Sequence, residues 1–416
     1  MPDPQFATLA EGTESAENGP EPTVAAMDAA SVMTTYARQP LRLVRGEGMY
    51  VFDDAGQRYL DFTSGIAVCG LGHCHPALVA AATEQLQTLW HMSNLYLTEP
   101  QAELAHRLTQ ACDMDRVFFS NSGAEANEAA IKLARRYSKL RYGAHKGEIL
   151  TFTHSFHGRT IATVTATAQP KYQEGFGPLP AGFRYVEELT IDAVRAAVSP
   201  KTAAIMIEPI QGEGGVRPVP QPFLRELREI CDELGLLLIF DEVQTGIGRT
   251  GAWLASQRLQ VKPDIVTLAK SLAGGLPIGA TLAMNEVAAA FSPGAHGSTF
   301  GGNPVAARAA LAVLDIVMEP GFLDNVKRRG QQLYSALCAL AGKRADIADV
   351  RGMGLMWGVQ LTGQTAGEVV NRCRERGLLV LTAGADTVRL LPPLIVGAGD
   401  IERAVHTLED ALNAVQ

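Results

Sequence analysis

The sequence predicts an α/β protein built on a mostly parallel sheet with helices on both faces, followed by a smaller α+β lobe. Short apolar runs recur between helical segments from residue 116 to residue 284, as expected for strands buried on both faces. The last two runs lie seven residues apart, too few for a crossover helix, so we expect the final strand to be antiparallel. From about residue 304 long helices and two isolated strand-like runs predict the second lobe.

The predicted elements follow one another without an internal repeat. The stretch 48–65 alternates apolar and polar residues around Asp54-Ala55-Gly56 and predicts a β-hairpin, and helical spacing marks 76–90 and 99–112. Six runs predict the sheet strands, at 116–120, 148–152, 203–209, 236–243, 264–270 and 278–284. Residues 304–342 are predicted to be helical, with strands at 355–361 and 388–394. We therefore predict a large domain over 81–309 and a small domain made of 31–80 and 310–416.

Length and charge narrow the class of protein. A chain of 416 residues suggests two domains, and its net charge of −8 argues against a nucleic-acid binder. Residues 1–30 hold six acids, no Lys or Arg and few large apolar side chains, which predicts a disordered acidic tail rather than a signal peptide. No apolar run is long enough to cross a membrane, and the six cysteines show no CxxC pair. These features predict a cytoplasmic protein with reduced thiols.

Residues with chemical capacity follow five of the predicted strands. Ligands of an open parallel sheet gather at the carboxyl ends of its strands, so these positions are the candidates for function. The small residues that follow the first strand begin a helix. A helix N-terminus of this kind can bind phosphate, because its free backbone amides and the positive end of the helix dipole lie there. The residues that follow the five strands are, in chain order, Ser122-Gly123-Ala124, then Phe156, His157 and Arg159, then Glu208, Gln211 and Glu213, then Asp241 and Gln244, and finally Lys270.

Together these groups match the needs of one cofactor, pyridoxal 5'-phosphate. It requires a lysine for a Schiff base, a carboxylate that keeps the pyridine nitrogen protonated, a phosphate cup and an aromatic side chain over the ring. Lys270 and Asp241 are the candidate lysine and carboxylate, and the carboxylate must stay ionised. The sequence therefore predicts a pyridoxal-phosphate site at this edge of the sheet.

The same residues lie in longer stretches that resemble the class III, fold type I, pyridoxal-phosphate-dependent aminotransferases. The resemblance runs from about residue 35 to the C-terminus and is carried by GHCHP, SNLYLTEPQAELA, SNSGAEANEAAIKLAR, SFHGRT, EPIQGEGGV, IFDEVQTGIGRTG, LAKSLAGGLPIGA, GSTFGGNP and VRLLPPL. It implies a seven-stranded sheet in the large domain and a homodimer with shared active sites. The stretches look most like those of enzymes acting on N2-acetylornithine, which implies ping-pong amino transfer to 2-oxoglutarate in arginine biosynthesis.

The resemblance also implies a role for each matching residue. Lys270 would form the internal aldimine, and Asp241 would pair with the pyridine nitrogen. Ser122, Gly123 and Ala124 would hold the phosphate, Phe156 would stack on the ring, and Gln244 would lie near its 3-oxygen. Thr299 would reach the phosphate of the neighbouring subunit. Arg159, Glu213, Arg389 and Tyr36 match positions that contact substrate.

Several alternatives stay open at this point. The same scaffold could act on ornithine, succinylornithine, 4-aminobutyrate or a carbamate ester, or as an aminomutase. Two alternatives belong to other classes of protein. One is a non-catalytic binding protein, and the other is a Schiff-base lyase that works without the cofactor. His73-Cys74-His75 has no companion ligands, so we interpret it as a packed turn and predict no metal site. His157 is interpreted as structural, and 134–141 as a solvated helix face or one partly buried against a partner.

Overall fold

The computed structural model describes residues 23–414. The chain forms two compact units, Met1–Arg42 and Leu43–Gln416. In the first unit helix α1 (Val24–Ser31) begins after Thr23, whose side chain accepts a hydrogen bond from the Ala26 amide at 3.2 Å. Residues 24–30 of the predicted disordered tail are thus helical, because a capped, alanine-rich segment favours a helix. The rest of the predicted tail, residues 1–22, lies outside the described residues.

The second unit begins with a small antiparallel sheet that contains the predicted hairpin. Its first strands are β1 (Leu43–Glu47), β2 (Tyr50–Asp53) and β3 (Arg58–Asp61), with the turn at residues 54–57 between the last two. Three helical segments follow, α2 (Ser64–Ala67), α3 (Pro76–Thr88) and α4 (Glu99–Cys112). The predicted hairpin and the two longer helices are confirmed. The first of these segments is a left-handed turn, because its four residues all have positive φ.

The central part of the chain forms the large sheet and its covering helices. Its strands are β4 (Arg116–Ser120), β5 (Glu148–Phe152), β6 (Phe183–Val186), β7 (Thr202–Ile207), β8 (Ile210–Gln211), β9 (Arg217–Pro218), β10 (Leu237–Asp241), β11 (Ile265–Leu268) and β12 (Gly279–Ala283). The helices between them are α5 (Gly123–Tyr142), α6 (Ile161–Ala166), α7 (Pro170–Gln173), α8 (Ile191–Ala197), α9 (Gln221–Leu234), α10 (Ala255–Leu259) and α11 (Asn285–Ala288). A single 3₁₀ turn, Lys270–Ala273, follows β11.

Seven of these strands form one mostly parallel sheet in the order β4-β12-β11-β10-β7-β5-β6. Strand β12 is antiparallel to both of its neighbours, as predicted from the short connection. Every residue of β7, β10, β11 and β12 is buried, because helices cover both faces. Strand β6 is not among the six predicted runs; it lies at the sheet edge with Arg184 and Tyr185 exposed, so it lacks the continuous apolar pattern.

The C-terminal part forms a second core. Its helices are α12 (Pro304–Val317), α13 (Phe322–Ala341), α14 (Ala366–Glu375) and α15 (Ala398–Asn413), and its strands are β13 (Ile347–Met353), β14 (Met356–Leu361), β15 (Leu378–Leu379), β16 (Leu381–Ala383) and β17 (Thr387–Leu390). Strand β15 pairs in parallel with β3, which joins the N-terminal hairpin to this lobe as predicted. The strands β13-β14-β17-β16 form a separate antiparallel sheet.

Separate apolar clusters support the two ends of the second unit. One contains Phe62, Leu333, Leu337 and Leu408 of the C-terminal lobe, while others lie against the large sheet. Helix α12 packs against α3 and shares the core of the large sheet. The domain boundaries at residues 80 and 310 remain a prediction, because the whole of Leu43–Gln416 forms one compact unit. Within residues 23–414, no helix combines the length and apolar character needed to span a membrane.

Candidate active site

Lys270 opens the 3₁₀ turn directly beyond β11, in a left-handed backbone conformation with φ 47°. Such a conformation is strained for a residue other than glycine, and it persists only where neighbouring contacts hold it. One such contact comes from Ser271, whose hydroxyl donates to the Ala67 carbonyl at 2.7 Å. The Lys270 side chain is half-buried at the wall of a cavity and makes no hydrogen bond to any residue from 23 to 414.

The environment of this amine favours its neutral form. Burial lowers the pKa of Lys270, and this effect outweighs the nearby carboxylate of Glu213, which raises it. The charge of Arg389 lowers the pKa further, whereas the charges of Asp241 and Glu208 raise it by smaller amounts. An amine that loses its proton readily can act as a nucleophile and as a proton carrier.

Asp241 ends β10, the strand adjacent to the one that precedes Lys270. Its side chain is only 4% exposed and accepts hydrogen bonds on both oxygens. Oδ2 accepts from Asn127 Nδ2 at 2.8 Å and lies 2.8 Å from His157 Nδ1, while Oδ1 accepts from the Val243 amide at 3.1 Å. Donors from a helix and two loops therefore fix this carboxylate.

Asn127 and His157 were not predicted as site residues from the sequence, although both contact the Asp241 carboxylate. Asn127 lies one helical turn after Gly123 and also donates to the His157 carbonyl at 2.8 Å, while its own oxygen accepts from Thr267 at 2.7 Å. The interpretation of His157 as merely structural is incomplete, because its ring faces Asp241. Its Nε2 has no hydrogen-bond partner within the described part of the chain. The i,i+4 spacing from the phosphate turn is the signal that identifies Asn127.

The N-terminus of helix α5 provides an anion site beside these groups. Ser122 is the N-cap, and its hydroxyl accepts from the Glu125 amide at 3.1 Å. The first-turn amides of Gly123 and Ala124 have no acceptor within the helix, and both residues line the cavity. Glycine is required at 123 because a Cβ there would lie 2.7 Å from Cγ1 of Val243.

A cavity of about 390 Å³ brings most of the predicted residues together. Its walls include Ser122, Gly123, Ala124, Phe156, Arg159, Asp241, Gln244 and Lys270, together with Asn127, His157, Val68 and Glu208. The combination of a lysine, a buried carboxylate, a helix N-terminus and an aromatic ring fits pyridoxal phosphate. The unpaired amides of the helix and the bare backbone at Gly123 are the features that leave room for a phosphate.

Arg389 and Glu213 form an ion pair that adjoins this cavity through Gln244. Arg389 Nη1 donates to Glu213 Oε1 at 2.6 Å and to Gln244 Oε1 at 3.2 Å. The arginine is 2% exposed and the glutamate 23%, so the carboxylate lies on the accessible side. Burial alone raises the pKa of Glu213, but the charge and hydrogen bond of Arg389 outweigh it and bring the pKa below its ordinary value. Arg389 Nε has no partner among the described residues.

Phe156, Arg159 and Glu208 also line the cavity. Glu208 Oε1 accepts from the Phe156 amide at 2.8 Å and so fixes the loop that carries the ring. Burial, and next the Asp241 charge, raises the pKa of Glu208 well above its ordinary value. The Arg159 guanidinium is exposed and lies 4.1 Å from the ring centre of Tyr172, with no ion pair to a carboxylate within residues 23–414. Arg159 is thus a cation available to a ligand.

Thr299 is not among the residues that line this cavity. Thr299 is exposed and lines separate surface cavities with Phe118 and His296. Tyr36 is 76% exposed and belongs to the first compact unit. The histidines of the GHCHP stretch also lie elsewhere: His73 Nε2 contacts Asp61 at 2.8 Å, and His75 accepts from an amide of α3.

The fold and this site define a pyridoxal-phosphate-dependent aminotransferase. A family model described as aminotransferase class-III matches residues 32–412, and the chain belongs to this family. It is 49% identical over 385 residues to the acetylornithine aminotransferase of Caldanaerobacter subterraneus, covering 92% of this chain and 98% of that relative. It is 52% identical over 391 residues to the acetylornithine aminotransferase of Thermosynechococcus vestitus, covering 92% of this chain and 95% of the relative.

Solved structures agree with the predicted fold. The N-acetylornithine aminotransferase of Stenotrophomonas maltophilia is 39% identical with a TM-score of 0.80, covering 91% of this chain and 97% of that one. The ornithine aminotransferase of Toxoplasma gondii is 32% identical with a TM-score of 0.90, covering 94% of each chain. The predicted fold class, aminotransferase class and pyridoxal-phosphate dependence are confirmed.

Proposed function

We propose that this protein transfers the terminal amino group of N2-acetylornithine to 2-oxoglutarate. The products are N-acetylglutamate 5-semialdehyde and glutamate, and the two half-reactions alternate in a ping-pong cycle within arginine biosynthesis. The observation that carries the proposal is the Arg389–Glu213 ion pair beside the Lys270 cavity. Arg389 could bind a substrate carboxylate, but the carboxylate of Glu213 already occupies it. Relatives at 49% and 52% identity that bear the name acetylornithine aminotransferase support this choice of substrate.

The walls of the cavity assign the residues that would hold the cofactor. Lys270 would bind it covalently, Asp241 would meet the pyridine nitrogen, and Phe156 would cover the ring. The backbone of Ser122, Gly123 and Ala124 would hold the phosphate, with Gln244 near the 3-oxygen. When bound, pyridoxal phosphate supplies an electron sink that stabilises negative charge on the carbon bearing the transferred nitrogen.

Lys270 performs the proton transfer. Burial lowers the pKa of its amine, which favours the neutral form that can take a proton from the substrate carbon and return it to the carbon on the other side of the transferred nitrogen. Asp241 stays in place throughout, because Asn127, His157 and the Val243 amide hold it. The lysine is therefore the moving group and the aspartate the fixed one.

The two amino donors pose a problem of charge. Glutamate reacts at a carbon that bears a carboxylate, and its second carboxylate lies two methylenes away. Acetylornithine reacts at its δ-carbon, and its only carboxylate lies at the far end. Both donors therefore need a distal cation, and glutamate alone needs a proximal one. We assign Arg159 to the distal carboxylate and Arg389 to the proximal one, since a guanidinium binds a carboxylate in a bidentate fork.

Glu213 solves the charge problem when acetylornithine is bound. A buried arginine without a counter-charge is costly, and Arg389 is 2% exposed. With acetylornithine present, Glu213 keeps its 2.6 Å contact to Arg389 and neutralises it. With glutamate present, Glu213 moves away and the substrate carboxylate takes its place. The greater exposure of Glu213 supports this exchange.

A panel of amino donors tests the substrate assignment. The holoenzyme is assayed with 2-oxoglutarate and acetylornithine, succinylornithine, ornithine and 4-aminobutyrate in turn. We expect kcat/KM to be highest for acetylornithine. Its single carboxylate suits Arg159, its acyl group is neutral, and Arg389 stays paired with Glu213. A higher kcat/KM for ornithine or 4-aminobutyrate would move the assignment to that donor while leaving the chemistry in place.

We also propose that the active unit is a homodimer with shared sites. Large apolar side chains are exposed around the segment 90–97 and near Thr299, among them Trp90, Leu95, Tyr96, Leu97 and Phe300, and a second copy of this chain would cover them. Thr299 lies outside the cavity of its own chain, which suits a role in the partner's phosphate site. Sedimentation of the holoenzyme at micromolar concentration tests this. A fully active monomer would contradict it.

A cytoplasmic location follows as a further proposal. All six cysteines are free thiols, as expected in a reducing compartment. Fractionation of cells that express the chain, followed by activity assays of each fraction, tests the location.

A further inference from the structure

Helix α5 carries a second cluster of charge, well beyond the turn that opens it. Lys132, Arg135, Arg136 and Lys139 line a surface cavity of about 430 Å³, together with Leu140, Phe291 and Ala295. We call these four cations and their cavity the basic pocket. No acidic side chain lines it, although the whole chain has a net charge of −8. The basic pocket is therefore a local concentration of positive charge on an acidic protein.

The two arginines of the basic pocket are fixed by neutral groups. Arg135 Nε donates to the Gly147 carbonyl at 3.1 Å, and its Nη2 donates to two further carbonyls, of Ala181 and Gly182. Arg136 Nε donates to the Ala290 carbonyl at 2.6 Å. Arg136 Nη2 also donates to Ser292 Oγ at 3.3 Å, and the Arg135 guanidinium lies 4.8 Å from the Phe183 ring centre. Burial lowers the pKa of Arg135, while the opposing charge of Glu128 raises it. The hydrogen bonds and the ring contact orient both guanidiniums, but none of them is an ion pair.

Lys132 is held by a neighbouring ring. Its Nζ lies 2.7 Å from His296 Nδ1. Burial, and next the charge of Lys132, lowers the pKa of His296, which favours the neutral ring as the acceptor of this hydrogen bond. Glu128, one turn earlier on the helix, accepts hydrogen bonds from Thr160 and from the Ala162 amide. Within residues 23–414, none of the four cations forms an ion pair.

This arrangement is unfavourable for a helix face that meets only water. Lys132 and Lys139 each lie three or four residues from both arginines, a spacing at which like charges on a helix repel each other. The helix dipole favours Lys139, which lies in the last turn, but not Lys132 in the middle of α5. The backbone carbonyls that tie both arginines to neighbouring loops also fix the positions of the two guanidiniums before any anion binds.

We propose that the basic pocket binds a small anion with at least two negative charges, carried on phosphate or carboxylate groups. The fixed guanidiniums each keep Nη1 free for a charge-assisted hydrogen bond, and the ammonium groups of Lys132 and Lys139 add further donors. Phe291 and Leu140 give the cavity one apolar side, which suits an organic anion. The site lies outside the Lys270 cavity and shares no lining residue with it.

The test titrates the pyridoxal-phosphate-loaded enzyme with inorganic pyrophosphate by calorimetry, at low ionic strength and constant pH. We expect one saturable site per chain. The double variant Arg136→Gln/Lys139→Gln should weaken binding about tenfold or more, since two charge-assisted hydrogen bonds are lost. A matched control, Arg328→Gln/Lys343→Gln, removes two exposed cations elsewhere and should leave the affinity within about twofold. A parallel titration with citrate shows whether carboxylates replace phosphates.

Three outcomes would overturn the proposal. They are the absence of saturable binding, equal weakening in both double variants, and binding that survives in the basic-pocket variant but is lost in Arg159→Ala. The second outcome would mean general charge screening, and the third would place the anion at the substrate site. Normal turnover of the Arg136→Gln/Lys139→Gln variant would show that it folds, so its loss of binding would support the pocket.

Discussion

The two ends of the Lys270 cavity are built differently. At the cofactor end, the Asp241 carboxylate is 4% exposed and is held by three partners from three separate segments of the chain. One of them, Asn127, is itself fully bonded to Thr267 and to the His157 carbonyl. If any one of these hydrogen bonds were lost, the others would still hold the Asp241 carboxylate, so this end of the cavity is rigid.

At the substrate end, single contacts replace the network. Arg389 has one ion pair to Glu213 and one amide contact to Gln244, and its Nε has no partner in the described part of the chain. Arg159 is exposed and rests on an aromatic ring. Under the proposed function, this difference means that the reacting groups are fixed at one end while carboxylates are exchanged at the other. Substitutions at the two ends should therefore fail in different ways.

The largest effect is expected for Lys270→Ala, which removes the one group that must move at the fixed end. Loss of a general acid–base catalyst lowers kcat by about 10²- to 10⁴-fold, and because the covalent attachment is lost as well we expect the upper end of this range. Steady-state kinetics with acetylornithine measures the effect, and circular dichroism checks that the variant folds. Turnover near that of the wild type would overturn the assignment of the site.

Asp241→Asn should be the next most severe change. A neutral amide cannot keep a pyridine nitrogen protonated, so we expect kcat to fall by about 10²- to 10³-fold in both half-reactions. The pyridoxal-phosphate content of the purified variant must be measured alongside. A variant with bound cofactor and normal activity would remove Asp241 from its role.

Glu213→Ala should separate the two substrates, because it acts only at the exchangeable end. The acetylornithine half-reaction should slow by about tenfold to a hundredfold, since Arg389 is left buried and unpaired, while the glutamate half-reaction stays within about twofold or improves. Single-turnover kinetics of each half-reaction measures this. Arg159→Ala is the matched comparison and should impair both. Equal losses in Glu213→Ala would contradict the exchange and the assignment of Arg389.

The smallest expected effect is a pH-dependent difference in stability between the wild type and Glu213→Gln. The pKa of Glu213 is lowered in the folded protein, so its pairing stabilises the fold above its ordinary pKa and is lost as the pH falls through the folded value. The wild type should therefore have the higher Tm near pH 7, and the two should converge in acid. If the difference in Tm persisted unchanged at pH 3, it would come from packing rather than from the charge of Glu213.

The sequence predicted the fixed end better than the exchangeable one. Lys270, Asp241 and the 122–124 turn each follow a strand, and in a parallel sheet chain order alone brings such residues to one edge. Asn127 was missed because it lies inside a helix, where its direction depends on how the helix packs. Arg389 comes from another sheet, so only the family resemblance pointed to its place beside Glu213.

The same limits explain the errors in the fold. Strand β6 escaped detection because an edge strand needs apolar residues on one face only. The helix α1 was hidden in a stretch whose acidic composition resembled a tail. Thr299 and Tyr36 remain predictions, since one lies outside the cavity and the other in the separate first unit.

The reversed strand β12 has a consequence for how this enzyme could be altered by evolution or by design. Because it runs against its neighbours, its first residues lie at the edge where β11 ends, and the loop from Lys270 to Ile278 both begins and finishes at the cavity. Gly279 lies so close to the helix turn that a Cβ would come within 2.3 Å of the Ser122 carbonyl oxygen. The lysine loop and the turn at Ser122 are therefore packed too closely to change independently, and we expect changes of substrate range to come from the arginine end instead.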